Sequence, residues 1–274
     1  MELLLSLLKI SLAGYFGLCL LLFFKQEGMI FLGAGLPSGA LEELRRRFPG
    51  SELSLRAPDG TQLHGWYLAT EGEGPAPLLI YFGGNAEDVS TMLVERQHFP
   101  GVSMLLVNYR GYGRSEGEPS QKALISDALF LYDRFSSRPE VDPKRILLMG
   151  RSLGSAVAIQ LASGREVAGL ILISPFESLR ALGRELYPWL PTSLLLRHPF
   201  DSLSLAPEIR APMLAIIAGQ DSIIPPEQSR RLLRIWGGPA RLVEIPGADH
   251  NDLGLQREFW RPIEEFVAEV KNIK

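Results

Sequence analysis

The sequence has a single cysteine, Cys19, among 274 residues, and only four histidines. One cysteine closes no intrachain disulfide and builds no thiolate metal cluster, so packing has to hold the fold. No H-E-x-x-H, no P-loop pattern and no correctly spaced G-x-G-x-x-G occurs. Metal, nucleotide and dinucleotide chemistry therefore lack motif support, and no cofactor is expected. Excess charge is missing too: a formal net charge of -3 provides no basic field, which argues against nucleic acid as a partner. Internal repeats and low-complexity tracts are absent. What remains is a globular composition, 46% apolar and 22% charged, long enough for one large α/β domain.

The one long hydrophobic run is at the start. From Leu3 to Phe24 the 22 residues "LLLSLLKISLAGYFGLCLLLFF" carry one charge, Lys9. As a helix they would reach about 33 Å, enough for a bilayer core of roughly 30 Å. Residues 1–27 are read as a single-pass membrane anchor, ahead of a cleaved signal peptide or a buried helix. The run Arg45 to Arg47 gives a weak vote for a cytoplasmic C-terminal domain. Residues 28–49 read as a linker and 50–274 as the main domain.

That domain opens with "SELSLRAPDGTQLHGWYLA", two short strands around a turn at Asp59-Gly60. Six nearly continuous apolar runs follow, at 77–82, 103–109, 145–150, 170–175, 213–219 and 241–246, as suits parallel strands buried on both faces. Helical patterns fall between them at about 87–97, 121–136, 153–163, 226–236 and 256–270. The alternation predicts an α/β fold, a mostly parallel sheet with helices on both sides and ligands at the C-terminal strand edges. The proline- and aromatic-rich segment 176–209 breaks the rhythm and reads either as a small lid or as an ordinary connection.

Two stretches satisfy G-x-S-x-G: "GRSLG" from Gly150 and "GRSEG" from Gly113. Ser152 follows the strand "RILLM" and precedes the helix-like "LGSAVAIQLASG", the strand, sharp turn and helix that present a nucleophilic serine. Ser115 is followed by Glu116, Gly117 and Pro119, which prevent an immediate helix and mark a loop.

A serine hydroxyl needs a base, and the base needs a group to orient it. Of the histidines, only His250 follows the last strand and falls at the ligand edge; His64, His98 and His198 do not. Asp221, directly after the strand "MLAIIAG", is the preferred acid over Asp201, Asp249 and Asp252. The chain order Ser152, Asp221, His250 is that of α/β-hydrolase triads. An oxyanion hole would take the N–H of Leu153 and one from the loop "YFGGNAEDVS", with Asn85 preferred and Gly84 second.

On these stretches, together with "APDGTQLHGWYL", "LLVNYRGYGRSEGEPS", "LAIIAGQDSIIPP" and "PGADHND", the sequence resembles the α/β-hydrolase superfamily over roughly residues 50 to 270. It looks most like its membrane-anchored, single-domain serine hydrolases, which include depalmitoylase-like proteins. That branch typically has His-Gly-Asn where Gly83, Gly84 and Asn85 stand here. The resemblance implies a serine hydrolase acting on carboxylic esters or thioesters, on a small-molecule or on a lipid or acylated substrate. A peptidase or amidase with the same triad, and a non-catalytic binding module on a hydrolase fold, are the alternatives.

Overall fold

In the computed structural model, which describes residues 1–72 and 74–271, the chain begins with the helix α1, Glu2–Ile30. It is exposed along nearly its whole length, with only Cys19 and Gln26 buried. At 1.5 Å per residue it is about 44 Å long. It is the one helix among the described residues long and apolar enough to cross a membrane. It continues to Ile30, past the end of the apolar run, and part of the expected linker forms a second helix, α2, Ala40–Arg47.

The domain is an eight-stranded sheet. The strands are β1 Glu52–Arg56, β2 Gln62–Leu68, β3 Ala76–Phe82, β4 Ser103–Val107, β5 Val141–Arg151, β6 Gly169–Ile173, β7 Met213–Ala218 and β8 Ala240–Ile245. Their spatial order is β1-β2-β4-β3-β5-β6-β7-β8. The opening hairpin is antiparallel, β2 pairs antiparallel with β4, and every later pair is parallel. β4, β3, β6 and β7, and the stretch Ile146–Gly150 of β5, carry almost only buried residues, because helices cover both of their faces.

One apolar core gathers α3 (Gln121–Ser136), α4 (Leu153–Ala162) and α7 (Pro226–Arg234) on one face of the sheet. The other gathers α2 and α8 (Trp260–Lys271), with Phe99 and Leu93. The helical pattern expected at about 87–97 is a 3-10 helix, Val89–His98, not an α-helix. It begins where the Asp88 carboxylate accepts the N–H of Ser90. Between β6 and β7 lie two short helices, α5 Leu179–Leu186 and α6 Thr192–Leu195.

The placement of β3 positions the site. The chain leaves β3 for β4 on one side and reaches β5 on the other, so the C-terminal ends of β3 and β5 flank a topological switch point, with Phe82 opposite Gly150.

Candidate active site

β5 runs into α4 through Ser152, whose backbone is left-handed (φ 51°, ψ -115°). A non-glycine residue held there costs about 1–3 kcal/mol, so the surroundings must enforce it. They do so by close approach. A Cβ on Gly150 would lie 2.3 Å from the Gly154 carbonyl oxygen, and one on Gly154 would lie 2.0 Å from that of Phe82. The two glycines let the first turn of α4 sit directly on the ends of β5 and β3. The Ser152 N–H donates to the Ile173 carbonyl at 2.8 Å, which pins the turn to β6. Its hydroxyl, half-exposed at the rim, makes no hydrogen bond with another described residue.

Asp221 follows β7 and His250 follows β8, so both reach the same strand edge as Ser152. His250 Nδ1 lies 2.8 Å from Asp221 Oδ2 and 3.1 Å from Oδ1, with the two side chains 5% and 1% exposed. That burial makes the pair mutually dependent, because neither group has water as an alternative partner. Asp221 Oδ1 also accepts the N–H groups of Ile223 and Ile224, and Oδ2 accepts the Ser174 hydroxyl at 2.9 Å. Burial pushes the carboxyl up, but the hydrogen bonds from His250 and from the Ile224 and Ile223 N–H groups outweigh it. Asp221 therefore stays below the usual carboxylate value. It is an anion at neutral pH, held to receive Nδ1–H.

The competing carboxylates have other tasks. Asp249 accepts from the Ser222 N–H and hydroxyl, Asp252 accepts the Asp249 N–H, and Asp201 accepts the Ser204 N–H. The remaining histidines are likewise committed: His64 to Glu52, His98 to Glu264 while stacked on Trp260, and His198 to Glu27 and the Gln121 N–H. Ser115 is buried, accepting the His64 N–H and donating to the Asn108 carbonyl.

Leu153 opens α4, so its N–H has no intrahelical partner. Gly84 is engaged: its N–H donates to Glu87 Oε2 at 2.8 Å. The Asn85 N–H donates to no described residue, while its side-chain oxygen accepts from the Tyr112 hydroxyl at 2.8 Å and from the Leu32 N–H at 2.8 Å. Leu153 and Asn85 thus present two free N–H groups on adjoining chain segments.

Several supporting groups were not visible in the sequence reading. Glu87 accepts from the Tyr81 hydroxyl, from Gly84 and from Arg151 Nη1 at 3.2 Å, and Arg151 Nη2 reaches the His250 carbonyl at 3.3 Å. Arg151, next to the serine, therefore ties the β3 loop to the histidine loop. Tyr109 donates to the Gly83 carbonyl, and Asn108 accepts the Val89 N–H, so "NYRGY" braces the β3 loop from behind. The only local signal for these roles is the polar content of loops at one strand edge. Among the described residues, no group of three or more metal-ligating side chains occurs.

Comparison with known proteins agrees with this fold. Residues 82–199 match the family model described as "Serine aminopeptidase, S33". The chain is 29% identical over 240 residues to the Arabidopsis thaliana "Alpha/beta hydrolase domain-containing protein WAV2", covering 79% of this chain and 78% of that one. It is 30% identical over 233 residues to a Saccharomyces cerevisiae protein described as an "Uncharacterized membrane protein", covering 82% and 81%. The crystal structure of the α/β hydrolase GrgF from Penicillium sp. sh18 superposes with a TM-score of 0.67 at 19% identity, covering 81% of this chain and 99% of that one. The chain belongs to the α/β-hydrolase superfamily. It is a hydrolase-family member with an apolar N-terminal helix, and a relative of the same length class is called a membrane protein.

Proposed function

We propose that the protein is a membrane-anchored serine hydrolase that cleaves carboxylic esters or thioesters by acyl transfer. Ser152 Oγ attacks the carbonyl carbon while His250 Nε2 takes its proton. Asp221 holds the Nδ1–H tautomer and stabilises the imidazolium that forms. The N–H groups of Leu153 and Asn85 receive the developing oxyanion. His250 then returns the proton to the departing alcohol or thiol, and water, activated by the same imidazole, releases the acid from the acyl-enzyme.

The observation that carries this reading is the desolvated Asp221–His250 pair at the same strand edge as a serine held at φ 51°. Hydrogen bonds between a nucleophile and its base tighten in the substrate complex, which is where the Ser152 hydroxyl is to meet the imidazole. Residues 1–27 serve as the anchor, and segment 176–209 as a small lid.

A second reading, peptidase or amidase chemistry, is favoured by the match of residues 82–199 to a serine aminopeptidase family model. The two are separated by comparing kcat/KM for p-nitrophenyl acetate, an acetyl thioester and aminoacyl p-nitroanilides, with Ser152→Ala as the control. Ester and thioester turnover that depends on Ser152 supports the first reading. Preferred turnover of the anilides supports the second.

A further inference from the structure

A cavity of about 280 Å³ lies between the last turns of α1 and the segment carrying α5 and α6. Leu22, Met29 and Ile30 form one wall, with Leu182, Leu186 and Leu195 opposite. Its size is near the lower end of ligand pockets, roughly 300 Å³, and suits one narrow apolar group.

Polar contacts lock the two walls together. Gln26 Nε2 donates to the Leu195 carbonyl at 3.0 Å, Gln26 Oε1 accepts the Arg197 N–H at 2.8 Å, and Glu27 pairs with Arg197 and His198. Farther up the helix, Tyr15 donates its hydroxyl to the Trp189 carbonyl at 2.7 Å. Tyr15 lies nine residues before Phe24, where the apolar run ends, about 13 Å along the helix axis. If the apolar run of α1 spans the bilayer, the tip at Trp189 therefore reaches about 13 Å into the leaflet. That is past the roughly 5–10 Å to which interfacial segments bury their apolar faces, and within reach of the acyl chains. The side chains there match this setting: Tyr187 is 51%, Trp189 57% and Leu194 82% exposed, a patch that water would disfavour.

Short stretches of chain link this junction to the candidate site. Ile30 is two residues from Leu32, whose N–H holds the Asn85 side chain, a span of at most about 7 Å. On the other wall, Leu179 lies five residues after Ser174, which donates to Asp221. Between them the chain after α1 is laid on the loop behind the site, with the Gly113 N–H donating to the Ala34 carbonyl.

From this arrangement we infer that the cavity is the binding site for one long acyl chain, drawn from the bilayer, whose ester or thioester carbonyl is delivered to Ser152. The inference rests on the hydrolase reading of the site; it selects a long-chain acyl substrate over a small-molecule one and adds the place where the chain is held. The membrane helix is then a wall of the substrate pocket as well as a tether. The charged cluster of Glu27, Arg197 and His198 sits at headgroup level, where the polar end of the substrate must stay.

Two measurements on the full-length chain in phosphatidylcholine nanodiscs test it. Ser152→Ala protein is photolabelled with diazirine-bearing palmitoyl chains, carried in one arm by lysophosphatidylcholine and in the other by a palmitoyl-cysteine peptide, and the adducts are mapped. Adducts at 22–30 and 179–196 are expected. The stronger arm identifies whether the chain comes from lipid or from lipidated protein. Adducts confined to 3–14, or spread evenly along α1, would overturn the assignment. In the second measurement, Leu186→Trp, at a 43% exposed position that tolerates bulk, should lower the palmitate-to-acetate ratio of kcat/KM at least tenfold. Leu182→Trp serves as the more buried check. An unchanged ratio in both variants would contradict the pocket. Wild-type protein inert towards every ester would instead sink the hydrolase reading, with the adduct map still deciding the pocket.

Discussion

Gly150 to Gly154 and Gly113 to Gly117 share the spelling G-R-S-x-G, yet only the first stands between a strand and a helix. Their glycines exist for different reasons. Gly150 and Gly154 are needed because neighbouring backbone would collide with a Cβ, at 2.3 and 2.0 Å. Gly113 and Gly117 adopt left-handed φ values of 54° and 81° in a loop, and the nearest atoms a Cβ would meet there, Asn108 Nδ2 at 2.3 Å and Thr61 Cγ2 at 3.0 Å, belong to side chains. The serines differ in the opposite sense: Ser152 is strained with a free hydroxyl, whereas Ser115 is unstrained with its hydroxyl committed to the backbone. A short pattern acquires meaning from what its flanks force the chain to do, and here the flanks make one copy a site and the other a brace.

Exchanging the two serines for alanine gives the largest contrast. Ser152→Ala should lower kcat by several orders of magnitude, with the melting temperature unchanged or raised as strain is relieved. Ser115→Ala should leave kcat per folded molecule intact and cost about 1–3 kcal/mol, because the buried His64 N–H loses its acceptor. Ester kinetics and thermal denaturation of both variants check the pair. Catalytic loss in Ser115→Ala at unchanged stability would break the comparison.

The glycines sharpen it. Gly154→Ala must move α4 off β3 and should destabilise the chain by about 3 kcal/mol or more, with activity lost. Gly117→Ala, whose Cβ would meet only side-chain atoms, Thr61 Cγ2 at 3.0 Å and Arg110 Cδ at 3.7 Å, should cost only about 1–2 kcal/mol for its left-handed backbone. Urea denaturation midpoints distinguish them. The arginines give a smaller effect. Arg151→Met removes the tie between Glu87 and the histidine loop and should reduce kcat by about ten- to a hundredfold through misplacement. Arg114→Met, at an exposed position, should change little, as parallel kinetics would show.

The smallest effect is one of pH. Asp221 titrates lower in the folded chain than in the unfolded one, so its stabilising contribution is complete above the ordinary carboxylate value. It fades as pH falls through the lowered folded value. Asp221→Asn should therefore flatten the acid limb of a stability-against-pH curve, and an unaltered limb would remove Asp221 from that role.

The strand, turn and helix around Ser152 were legible because buried parallel strands write themselves as continuous apolar runs, and the strand ends then order Ser152, Asp221 and His250 along one edge. The pattern at about 87–97 marks a helix without fixing its type, because its spacing is compatible with either winding and a local cap decides only where it starts. Ser174, Glu87, Arg151 and Tyr112 were not found, since their bonds join residues far apart in sequence and each looks locally like an ordinary loop residue. The docking of Gln26 against Leu195 was hidden for the same reason. Hydropathy locates a membrane helix but says nothing of what lies beside it.

The most direct test of the account is labelling of folded, full-length protein with a fluorophosphonate probe, followed by mapping of the adduct. The account expects one adduct, on Ser152, abolished in His250→Ala and untouched in Ser115→Ala. An adduct on Ser115, or none on folded wild-type protein, would contradict it.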